Sequence, residues 1–120
     1  MARNILGNDL ETCCMDPVTG YYRNGKCDTG GQDRGLHTVC VQMTDAFLAF
    51  AKNQGNDLIT PMPQHGFPGL KDGDHWCVCV GTVMDAMEEN VRPKIKLEAT
   101  HASVLEFISL EDLQACAVED

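Results

Sequence analysis

The stretch "HTVCVQMTDAFLAFAKNQG" (37–55) changes its hydrophobic period midway. Up to Met43 the pattern alternates. Val39, Val41 and Met43 take one face and Thr38, Cys40 and Gln42 the other, as on a strand. From Thr44 onward Phe47, Leu48, Phe50 and Ala51 form the apolar stripe of a helix. Thr44 suits the N-cap, Asp45 the first turn and Gly55 the exit. Met43 and Leu48 occupy the two positions of a hydrophobic staple. No linker separates the two patterns, so a strand must hand the chain directly to a helix.

The same junction recurs. "HWCVCV" (75–80) reads as a strand and runs into "TVMDAMEENV" (82–91). There Thr82 and Asp85 form a capping pattern, Val83, Met84, Met87 and Val91 the apolar stripe, and Pro93 the stop. "KIKLEAT" (94–100) alternates, with Ile95, Leu97 and Ala99 on one face, and reads as a further strand. Residues 104–108 read as a strand leading to a helix capped by Ser109, with Asp112 at N3, running to about Ala117. These junctions predict an α+β fold, one domain over residues 1–120. It has a mixed sheet of about four strands and about three helices.

Residues 1–36 carry Asp16-Pro17, Gly20, Gly25, Gly30-Gly31 and Gly35, and predict a long irregular N-terminal segment. Residues 56–74 hold three prolines and three glycines and read as a long loop, either a proline-pinned wrap or a contact surface.

No apolar run approaches the roughly 20 residues that span a bilayer, and the first residues have no apolar signal region. The expectation is a cytoplasmic, bacterial protein. Its formal net charge is -9, and its nine Lys and Arg residues are scattered. Nucleic acid wants a basic stripe, and an anionic membrane surface wants the same, so both are excluded as partners. A small ligand or a protein partner remains.

Seven cysteines are many for a cytoplasmic chain and point to metal, catalysis or buried thiols. On the strand "HWCVCV", His75, Cys77 and Cys79 share one face, and Trp76, Val78 and Val80 share the other. Thiols at i and i+2 lie about 6.6 Å apart along a strand, too far to bond each other. An oxidised partner must come from elsewhere, such as Cys27 or Cys13. Zinc or another soft transition metal could use Cys77, Cys79 and His75, but a straight strand splays the two thiols and a bulge would be needed. His37 and Cys40 have ligand-like spacing, yet face opposite ways on a regular strand.

A reactive thiol needs a cation, an imidazole or a helix N-terminus beside it. Cys79 lies three residues before the Thr82 cap and Cys40 four before the Thr44 cap, with His37, His75 and His101 as candidate bases. The third reading is packing, in which Cys40, Cys77 and Cys79 line the second face of a sheet covered on both sides. No CxxC, phosphate loop, GxSxG or HExxH is present.

"DPVTGYYRNGKCDTG", "HTVCVQMTDAFLAFAKNQGNDLITP", "FPGLKDGDHWCVCV" and "LEATH" resemble the bacterial family known as domain of unknown function 2237 over nearly the whole chain. The resemblance implies a small soluble single-domain protein of unassigned activity. Its pattern includes cysteines matching Cys13, Cys27, Cys40, Cys77 and Cys79 and histidines matching His37 and His101. This chain departs from it at Thr82-Val83, where Arg-Trp is expected. Cys14 and Cys116 stand outside the pattern.

The expected site therefore gathers Cys13, Cys27, Cys40, Cys77 and Cys79 with His37 or His101. Three roles are open to it: thiolate-based metal or ligand binding, a cysteine-dependent enzyme or thiol redox sensor, and a protein-interaction domain using the 56–74 loop.

Overall fold

The computed structural model describes residues 2–118. Its central strand, β1 (His37–Gln42), is flanked by β2 (His75–Cys79) and β3 (Lys94–Ile95), both antiparallel to it. The helices are α1 (Asp45–Asn53), α2 (Val80–Glu88) and α3 (Leu110–Ala115). No helix among the described residues is long and apolar enough to cross a membrane. The radius of gyration is 12.9 Å, close to the roughly 14 Å of a compact chain of this length.

Among the described residues the architecture is α+β with three helices, and two strand expectations are corrected. Among those residues the sheet has three strands, all antiparallel, rather than about four in a mixed sheet. Of residues 94–100 only Lys94–Ile95 pair as a strand, and a 3-10 turn over Leu97–Ala99 follows. Ala102–Glu106 is also 3-10, not a strand at 104–108. Lys96 N–H reaches Cys40 O, but Thr100 Oγ1 then turns back on Lys96 O and curls the chain away from the ladder. The period-2 pattern of "KIKLEAT" thus outlasts its pairing.

The first junction forms as its caps dictate. Thr44 Oγ1 accepts the Phe47 N–H, and Phe47, Leu48 and Ala51 are buried. Ser109 likewise accepts the Asp112 N–H and starts α3. The 56–74 loop is anchored by buried Leu58, Phe67 and Leu70, with the Phe67 ring edge-on to Trp76 at 5.1 Å.

The sheet has two unlike faces. Val39, Val41, Trp76 and Val78 point into the main core with Phe47, Leu48, Val83, Ala86, Ile95 and Leu113. On the other face Cys40 and Cys77, direct partners across the ladder, meet Cys13, Cys27 and Ala99. Residues 2–36 cover this second face. No helix or strand is assigned there, and the segment holds its place through buried polar groups. Asn4 is 1% exposed and makes four bonds, to the carbonyls of Asp9 and Glu98 and from the N–H groups of Leu6 and Asn8. Thr19 Oγ1 accepts the Cys77 N–H at 2.8 Å. A buried amide left unpaired costs about 1–3 kcal/mol, so these contacts specify one arrangement.

Candidate active site

The second strand-to-helix junction builds the site. β2 runs into α2 with no intervening residue, and Cys79 is both the last residue of β2 and the N-cap of α2. The expected cap at Thr82 is three residues too late. Thr82 Oγ1 instead accepts a bond from Asn56 Nδ2 at 3.3 Å. Cys79 thus stands at a helix start, with no side-chain cap on the first-turn N–H groups.

A bulge supplies its partner. From Val39 to Gln42 the ladder is regular, pairing Val39 with Val78 and Cys40 with Cys77. That register would set His37 against Val80. A shift between His37 and Val39 sets it against Cys79 instead. Bulges of this kind re-aim side chains beside functional sites. Leu36, immediately before, has φ +52°, a strained conformation for a branched residue. Its carbonyl accepts from Thr38 N–H at 2.8 Å and Val80 N–H at 3.1 Å, tying the start of β1 to the start of α2.

Behind the imidazole lies Asp33, its side chain fully buried. Oδ1 is 2.6 Å from His37 Nδ1, and Oδ2 accepts the His37 N–H and the Thr29 hydroxyl, each at 3.0 Å. Burial alone would raise the carboxyl. The bonds from His37 and Thr29 outweigh it and hold Asp33 below its usual range. With Nδ1 engaged by Asp33, Nε2 is the nitrogen left for Cys79. The neighbouring Cys79 side chain is the largest influence on His37. Together with Asp33 it raises the imidazole from 6.5 to about 9, against the opposing effect of burial.

The site is open but shaped. The His37 side chain is 38% exposed, and Tyr21 stacks along it at 6.2 Å between centroids. Gly35 clears the space between imidazole and thiol. A Cβ there would stand 2.8 Å from His37 Cε1 and 3.2 Å from Cys79 Sγ.

The other expected residues divide. Cys13 is bonded to Cys40 and Cys27 to Cys77, so four of the five cysteines form two disulfides under the sheet. Cys77, Cys79 and His75 do not come together as a ligand set. Cys77 faces the sulfur layer and His75 pairs with Gln42 at the far end of β2. His101 caps the 3-10 turn at Ala102 and bonds Ser103 through Nδ1, with Nε2 3.7 Å from Asp28 Oδ1. Among the described residues Cys14, Cys79 and Cys116 are free, and Cys116 is buried.

Asp33, Gly35 and Tyr21 were not legible as site residues. Asp33 and His37 lie four apart in "DRGLH", a spacing shared with countless surface pairs.

A three-stranded α+β domain with a thiol, an imidazole and a buried carboxylate in series has the parts of a cysteine-nucleophile site. The chain belongs to the uncharacterised family conserved in bacteria, DUF2237, whose model matches residues 3–117. No curated protein matches it.

Proposed function

We propose that this is a small cytoplasmic bacterial enzyme that uses Cys79 as a nucleophile on an acyl-type carbon of a small substrate. The supporting observation is the bulged pairing of His37 with Cys79, with Asp33 fixed behind the ring. Cys79 Sγ, its proton held on the His37 imidazolium, attacks the carbonyl carbon. The developing oxyanion faces the uncapped N–H groups of Gly81 and Thr82 in the first turn of α2. His37 then protonates the leaving group as its bond to carbon breaks. Water attacks the thioester, His37 takes the water proton, the carbon–sulfur bond breaks with its electron pair on sulfur, and the proton stays on His37 to restore the starting pair. Asp33 holds the ring tautomer and stabilises the imidazolium.

The test uses p-nitrophenyl acetate. Nitrophenolate release should accompany a single acetyl group, mapped by peptide mass to Cys79. Cys14 is also free and partly exposed, and it should acetylate far more slowly. Equal acetylation at the two cysteines would refute the assignment.

A further inference from the structure

The sulfur layer under the sheet is separate from the Cys79 site, and no step proposed above uses it. Three pieces of chain deliver the four sulfurs: Cys13 and Cys27 from the N-terminal segment, Cys40 from β1 and Cys77 from β2. All four are between 0% and 5% exposed. The one other buried apolar residue clustered with them is Ala99, a small side chain.

The sulfurs of Cys13, Cys27 and Cys77 lie within 4.8 Å of one another, although they belong to two different disulfides. Cys40 joins them through its bond to Cys13 and faces Cys77 directly across the ladder. A tetrahedral zinc site with bonds of about 2.3 Å sets its sulfurs roughly 3.8 Å apart. Four thiolates converging in a dry pocket are what such a site requires. Lys96, whose Nζ donates to Thr12 O beside Cys13, supplies a neighbouring positive charge.

We propose that Cys13, Cys27, Cys40 and Cys77, when reduced, form a four-thiolate site for one thiophilic divalent cation of the zinc type. The conversion balances. Two equivalents of a small dithiol each give two electrons and two protons to one disulfide, become cyclic disulfides, and leave four protein thiols. The cation then displaces four protons and takes four sulfur ligands. The same residues thus have an oxidised, cross-linked state and a reduced, metal-bound one, suited to oxidising and reducing surroundings respectively.

The experiment starts from the full chain reduced anaerobically with dithiothreitol, desalted and titrated with zinc chloride. Native mass spectrometry should show one zinc per chain. Alkylation mapping should show Cys13, Cys27, Cys40 and Cys77 shielded with zinc and exposed after a chelator removes it. Cys79→Ser should keep the zinc, because that thiol lies outside the set. Cobalt substituted into the wild-type chain should give the intense sulfur-to-metal absorption of a tetrathiolate, a readout that needs no variant to fold. A fully reduced chain that stays metal-free in excess zinc would overturn the proposal. So would zinc that is lost in Cys79→Ser, or a cobalt spectrum without four-sulfur character.

Discussion

Cys77 and Cys79 are two residues apart on one strand and have opposite fates. Cys77 points into the dry layer beneath the sheet, where its sulfur is bonded to Cys27 and its N–H to Thr19. Cys79 remains a free thiol at the first turn of α2, facing an imidazole. One register shift in β1 and the immediate start of a helix separate a structural sulfur from a reactive one. A cysteine's chemistry follows from what its face of the strand meets, not from its neighbours in sequence.

The largest expected effect sharpens the reactive side of that contrast. His37→Ala should slow acetylation of Cys79 by about 10²–10⁴-fold, the usual contribution of a positioned acid–base group. It should leave both disulfides intact, as a thiol count would show. If the rate held, the imidazole would be a bystander.

Next comes the structural side. Replacing Cys27 and Cys77 together by serine opens a cross-link spanning 50 residues and should cost about 4 kcal/mol in chemical denaturation. The Cys13 and Cys40 pair spans 27 and should cost about 3.5 kcal/mol. Cys79→Ser should stay within about 1 kcal/mol of wild type. Equal losses at Cys77 and Cys79 would erase the distinction.

Gly35→Ala tests the space between the two catalytic groups. The added methyl crowds His37 Cε1 and Cys79 Sγ. A displacement on this scale should lower the acetylation rate up to about 10²-fold. Intact mass should still show two disulfides.

The fourth prediction concerns pH. Folding raises His37 from 6.5 to about 9, so the folded state holds this proton more tightly. The stabilisation is fully present below pH 6.5 and is lost as pH rises through about 9. Denaturation midpoints of the wild type should fall across that window, while His37→Gln should lack this component. The smallest effect is expected for Cys14→Ser. It should change neither acetylation of Cys79 nor stability beyond about 0.5 kcal/mol.

Part of the molecule was legible in advance. The period change at Thr44 and the capping residue Ser109 located α1 and α3, because caps and amphipathic stripes are local features. The paired apolar face of Val39, Val41, Trp76 and Val78 followed from strand alternation. "KIKLEAT" misled because alternation signals which residues face inward, whereas strand formation needs a partner backbone. The start of α2 was misplaced because Thr82 is a better cap by composition than Cys79. There the tie between Val80 N–H and Leu36 O overrides local preference.

By itself, then, the sequence determined the α+β class, the helices with clear caps and the shortlist of thiols and imidazoles. It also placed Cys40 and Cys77 on a second sheet face. The tertiary structure alone decided which sulfurs pair, which one stays free, and that Asp33 stands behind His37. The physical reason is range. Helix caps and alternation act within a few residues, but the sulfur layer joins positions 27 and 50 residues apart. The thiol–imidazole pair depends on a one-residue slip of register, which no local pattern of side chains records.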